Sequence, residues 1–190
     1  MKAYADQPSI EVTRRWVEQV VVALNLCPFA KRELVKERVR FVETPATTQV
    51  ELLEDLKAEL AMLAADPSIE TTLLIHPHVL TDFVQYNDFL ADADALLFEL
   101  ALEGVFQVAS FHPEYQFGGT EPQDAENYTN RSPFPMLHLL REDSLSLAID
   151  HYPGVDDIPQ RNIDLMNEMG VAKLRALLAA CFSKKHNPQG

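Results

Sequence analysis

The sequence predicts a single α/β domain: a small, mainly parallel sheet of three or more strands, with a βαβαβ core flanked by helices. Three observations carry this. Apolar runs of strand character at 39–44 (VRFVET), 71–77 (TTLLIHP) and 105–111 (VFQVASF) alternate with segments of helical period. The stretches between the runs are long enough for the helical crossovers that parallel pairing needs. No linker, repeat or low-complexity segment divides the 190 residues, so 1–190 reads as one domain, with flexible ends expected at 1–8 and 184–190.

The elements follow in order. Residues 10–24 place Trp16, Val17, Val20, Val21 and Leu24 on one face of a first helix. After the first strand, Thr48-Gln49-Val50-Glu51 matches a capping box, in which Thr and Glu satisfy donors of the first helical turn. Leu53, Leu56, Leu60 and Leu63 then repeat at helical spacing until Asp66-Pro67 stops the helix. Residues 82–103 form the longest amphipathic segment, with Phe83, Tyr86, Leu90 and Leu97 facing one way and Asp88, Asp92 and Glu99 mostly the other. Thr81 can cap its start and Gly104 suits its end. Ser132-Pro133 reads as N-cap and first position of a helix through Met136, Leu137, Leu140 and Arg141. Residues 144–152 fit a strand by Leu145, Leu147 and Ile149, or a helix by Leu145, Ala148, Ile149 and Tyr152; the helix is preferred. A last helix from about 158 to 182 presents Ile163, Met166, Val171, Leu174, Leu178 and Cys181.

Charge narrows the partners. Sixteen Lys and Arg against 29 Asp and Glu leave a net charge of −13, spread along the chain, which disfavours nucleic acid and anionic membranes. The basic residues Lys31, Arg32, Lys36, Arg38 and Arg40 share their segment with Glu33 and Glu37 and read as a solvated helix face. No apolar run approaches the roughly 18 residues of a membrane span. The first residues lack the apolar stretch of a signal peptide, so a cytoplasmic location is expected. Cys27 and Cys181 make no disulfide framework, and both read as packed residues. A nucleophilic Cys27 can still be drawn, with His76 or His112 as base and Asn127 or Asn130 orienting it.

Residues 111–141 concentrate the chemistry. His76 and His112 each end a strand immediately before a proline, so parallel neighbouring strands would bring both imidazoles to one sheet edge, where open α/β sheets bind ligands. There they would serve acid–base chemistry near neutral pH. With His78 they are also candidate ligands of a divalent metal, the one cofactor the sequence suggests. At the other end of the segment, a helix starting at Ser132 would offer unpaired N–H groups to an anion, with Asn127, Asn130 and Arg131 beside it. Each residue also has a structural reading. Arg131 can staple the loop through Glu121, Asp124 or Glu126, and a strand-end histidine is commonly a hydrogen-bonded packing residue. Burial of His112 with both ring nitrogens bonded to backbone would remove it from the catalytic set.

Two function classes follow. One is a small hydrolase- or lyase-type enzyme in which His112, with His76, acts on an anionic small molecule held by Arg131. The other is a non-enzymatic binding or assembly protein with the 111–141 loop as a rigid interaction surface. The oligomeric state is left open by the sequence.

Leu26-Cys27-Pro28-Phe29-Ala30, Phe111-His112-Pro113, Asn130-Arg131-Ser132-Pro133-Phe134-Pro135, Leu137-His138-Leu139-Leu140-Arg141-Glu142 and Ile158-Pro159-Gln160-Arg161-Asn162-Ile163 together span nearly the whole chain. In this combination the chain resembles a family of bacterial and plant proteins known as a domain of unknown function, number fourteen-fifteen. The resemblance implies a shared fold and brings no activity, cofactor or catalytic residue with it.

Overall fold

Four strands form one mixed sheet in the order β1-β2-β4-β3 in a computed structural model that describes residues 9–183. The ends expected to be flexible, 1–8 and 184–190, lie outside the described residues. β1 (Val39–Glu43) pairs parallel with β2 (Thr71–Ile75), while β4 (Met136–Arg141) runs antiparallel between β2 and β3 (Phe106–Phe111). The three strands read from sequence therefore run in one direction, as expected. The sheet is nevertheless not mainly parallel, because β4 enters between two of them.

That strand replaces the helix predicted from Ser132-Pro133. Ser132 caps nothing: its hydroxyl donates to Phe134 O, 2.7 Å away, and its N–H to His112 O at 3.4 Å. The segment misleads because both of its faces are covered. Met136, Leu137 and Leu139 are buried, so the alternation of a half-buried strand is absent and a helical spacing can be drawn through the same residues.

The helices otherwise follow the pattern. α1 (Ser9–Trp16) runs into a π-helical stretch at Val17–Val22, and α2 (Ala30–Val35) follows a short turn. α3 (Gln49–Ala65) has its capping box formed, with Thr48 Oγ1 accepting from Glu51 N and Glu51 accepting from Thr48 N. α4 (Phe83–Glu99) is capped by the side chain of Asp82, not Thr81, and stops five residues before Gly104. α5 (Glu142–Asp150) follows β4 directly, in agreement with the helical reading of 144–152. The single last helix is two, α6 (Ile158–Met169) and α7 (Val171–Ala180). Gly170 separates them at φ +74 and ψ 152, a backbone conformation that a side chain would disfavour. Among the described residues, no helix is long and apolar enough to cross a membrane.

Alternation along the strands sorts two cores. On one face, Leu74, Leu137, Leu139 and Phe106 pack against Leu52, Leu56, Leu60 and Leu63 of α3 and Tyr86, Phe89 and Ala93 of α4. On the other, Leu73, Ile75 and Met136 meet Val12, Trp16, Val17 and Val20 with Met166, Leu174 and Cys181 from the carboxyl-terminal helices. Cys181 is thus the packed apolar residue the sequence suggested.

Candidate functional site

β4 separates β2 from β3, so His76 and His112 leave strands that are not neighbours. Both face the α4 side, where Tyr86 packs against them with ring centroids 5.8 Å from His76 and 5.1 Å from His112. His112 is buried, with Nε2 bonded to Leu80 O at 3.2 Å and Nδ1 accepting from Glu114 N at 3.0 Å. The criterion set above is met: both nitrogens hold backbone, and burial pushes the pKa down. His76 donates from Nδ1 to Val79 O at 3.0 Å, and its Nε2 is sealed without a partner. Burial pulls its pKa down to about 4. The two rings pin the 76–82 turn, while His78 is exposed. Among the described residues, no group of three or more His, Cys, Asp or Glu is placed to hold a metal ion.

The other end of the loop is equally committed. Arg131 donates from Nε to Tyr115 O at 3.1 Å and from Nη2 to Pro122 O at 2.7 Å, and its guanidinium lies 4.7 Å from the Tyr128 ring centroid. It is a staple, but through carbonyls and not through the acidic side chains. Buried Asn127 accepts from Phe117 N and Thr120 Oγ1 and donates to Glu121 O, and Asn130 donates to Ser110 O. With no helix starting at Ser132, the expected anion site has neither its dipole nor a free guanidinium. Arg141 closes the end of α3: it donates to Ile69 O, Asp66 O and Leu63 O.

An apolar, half-open pocket lies on the opposite face of the sheet. A cavity of about 260 Å³ has Thr71, Leu73, Ala109, Phe111, His138 and Leu140 as its floor. These residues alternate along three strands and so share a face. Trp16, Val17 and Val21 form one wall, Cys27 and Phe29 another, and Ser144, Leu145 and Ala148 of α5 the roof. Ala109 contributes only a methyl group, which leaves room that a larger side chain would fill. At the rim the charges are already paired. Buried Glu33 takes Arg32 Nε at 2.5 Å and Arg38 Nη1 at 3.2 Å, and Arg38 Nη2 reaches Glu70 at 2.6 Å.

Two polar side chains inside remain of interest. Burial pushes the Cys27 thiol up despite N–H contacts from Phe29 and Ala30, so it is a neutral thiol and not an activated nucleophile. His138 Nε2 lies 2.7 Å from Thr71 Oγ1, while its Nδ1 has no partner among the described residues. Unlike His76 Nε2, that atom is not sealed off, and His138 is one of the residues that line the cavity.

Residues 9–176 match the model of a protein family described as a protein of unknown function, DUF1415. The chain belongs to this family. Among curated proteins and among solved structures, none matches it. In this DUF1415 chain, the segments that carried the resemblance fall into two groups. Cys27 and Phe29, with His138, line the cavity, and the 158–163 segment holds them: Asn162 Nδ2 donates to Leu26 O at 2.9 Å and Arg161 Nη2 to Asn25 O at 2.8 Å. The other group, 111–113 and 130–135, ties the loop to itself, with His112 N donating to Asn130 O and Ser132 N to His112 O. Sequence reasoning on the residues alone missed His138 as a site residue, because it was placed on a helix. Its signal was a five-residue apolar run, 136–140, bounded by Pro135 and Arg141 with one polar side chain inside it.

Proposed function

We propose that this protein binds a small apolar molecule in the cavity between the sheet and α1, α2 and α5. One observation carries the reading: His138 lines a mainly apolar cavity and keeps an imidazole nitrogen that no group among the described residues uses. Ligand pockets have this composition, mostly apolar walls with a few polar groups that orient the guest. The size is compatible with a ring bearing a substituent. An engineered cavity of about 150 Å³ takes up benzene, and this one measures about 260 Å³. α5 is the natural way in, since the helix that roofs the space has no fully buried residue of its own.

This is the binding class of function, moved from the 111–141 loop to the other face of the sheet. Acid–base chemistry at His112 and His76 has less support, because three of their four ring nitrogens are either bonded to backbone or donating to it, and the fourth is sealed.

The test is uptake of a solvatochromic naphthalene dye, read by fluorescence and by its displacement with ethylbenzene. Ala109→Phe puts a ring into the floor of the cavity, and Ala148→Trp fills it from the half-buried face of α5. Both are expected to keep the circular dichroism of the parent and to weaken binding at least tenfold. Unchanged affinity in both folded variants, or no uptake by the parent, refutes the reading.

A further inference from the structure

We infer that the cavity's ligand is a neutral molecule with one hydroxyl or N–H donor on an apolar ring or short chain, of the phenol or indole type, and that His138 selects it by accepting that hydrogen bond. The inference rests on the cavity being a binding site, as proposed above, and adds the chemistry of the guest.

The hydrogen-bond geometry of Thr71 decides which imidazole nitrogen is bare. Thr71 Oγ1 lies 2.6 Å from Leu139 O and 2.7 Å from His138 Nε2. A carbonyl oxygen only accepts, so the single hydroxyl proton must point to Leu139 O. Were it turned to the ring, two oxygen lone pairs would face each other across 2.6 Å. Thr71 Oγ1 therefore accepts from His138, and Nε2 carries the ring proton. A neutral ring with its proton on Nε2 has a lone pair on Nδ1. The ring stays neutral near pH 7, since burial pulls its pKa down to about 4.

An acceptor in an apolar space discriminates sharply. A hydroxyl or N–H donor completes it, whereas an ether leaves it unpaired. A carboxylate brings a second acceptor and a charge with nothing to neutralise it. The nearby guanidinium groups do not supply that neutralisation: Arg32 and Arg38 are held by Glu33 and Glu70, and Arg141 is spent on three carbonyls. Phe111, 6.0 Å from the His138 ring centroid, offers an aromatic face beside the acceptor. The guest is thus apolar over most of its surface, uncharged, and a donor at one point.

A ligand series on the unmodified protein tests this without requiring any variant to fold. The probes are ethylbenzene, para-ethylphenol, para-ethylanisole and para-ethylbenzoate, titrated by displacement of the dye and followed on the imidazole nitrogens of protein labelled with ¹⁵N histidine. The phenol is expected to bind roughly three- to tenfold more tightly than ethylbenzene, the span of one net hydrogen bond. It should shift the His138 Nδ1 resonance, whereas the anisole gains nothing over ethylbenzene and the benzoate does not compete. His138→Phe should erase the phenol's advantage while ethylbenzene still binds. If ethylbenzene binds and the phenol is no better, or the benzoate binds best, the donor inference falls and the cavity reading stands. If none of the four displaces the dye or shifts a histidine resonance, both fall.

Discussion

His76 and His138 are neutral inside the fold, and acid should therefore undermine it at an unusually mild pH. Each ring has an ordinary pKa of 6.5 and is held at about 4 by burial. The sign follows from linkage. Between these two values the unfolded chain binds protons that the folded chain refuses, so stability is fully present above about 6.5 and is lost as pH falls towards 4. At about pH 5 an unfolded ring is almost wholly protonated and a folded one mostly neutral, which amounts to about 2 kcal/mol per ring. Together the two remove about 4 kcal/mol, a large part of the 5–15 kcal/mol typical of a domain. His112 is lowered too and acts in the same direction. The carboxylates occupy a different window. Hydrogen bonds lower Glu51 and Asp66, so their contribution is present above the ordinary carboxylate range and disappears only below about pH 4.5. The measurement is the urea midpoint at a series of pH values, with His138→Phe alongside. The midpoint should fall steeply between about pH 6.5 and about pH 5, and the variant should lose about half of that slope. A flat midpoint across this window would refute the assignment of buried neutral imidazoles.

Two further substitutions test what holds the sheet. Tyr86 donates to Met136 O at 2.8 Å and accepts from Phe111 N at 3.0 Å, tying α4 to the ends of β3 and β4. Tyr86→Phe strands both groups and should cost about 1–3 kcal/mol in urea unfolding; a change below about 0.5 kcal/mol would show that the hydroxyl is dispensable. Arg141→Met keeps an apolar stem against Phe106 but frees one carbonyl in the last turn of α3 and two just after it, so amide exchange at residues 66–69 should accelerate at a cost of about 1–3 kcal/mol. Unchanged exchange there would mean that the guanidinium does not close α3.

Much of the scaffold was legible because local chemistry and tertiary packing agree. The Thr48–Glu51 box starts α3 where the leucine repeat begins, and three strands with their common direction follow from alternating periods. Legibility failed where two surfaces cover one segment. β4 is apolar on both faces, so its residues carry no period that tells strand from helix. The same error shaped the reading of the residues around it. With Ser132 as a helix start, Arg131 and Asn130 looked like an anion cradle and His138 like a helix residue. The histidines at the strand ends drew attention through their matching His-Pro sequences, yet matching positions on separated strands gave them matching structural tasks. Nothing in the spacing could reveal that His112 would find both a carbonyl from 80 and an N–H from 114.

The insertion of β4 between β2 and β3 also dictates an order of assembly. A growing chain that ends at residue 111 contains β1, β2 and β3, but β3 then has no strand to pair with. β2, whose five residues are all buried in the finished sheet, still lacks one of its two neighbours. Only when 136–141 is available can the sheet close, and the same event delivers His138 to the cavity floor. A nascent or truncated chain therefore carries an open apolar edge, the kind that pairs with other chains. The cavity floor and the protection from aggregation would be acquired in one step.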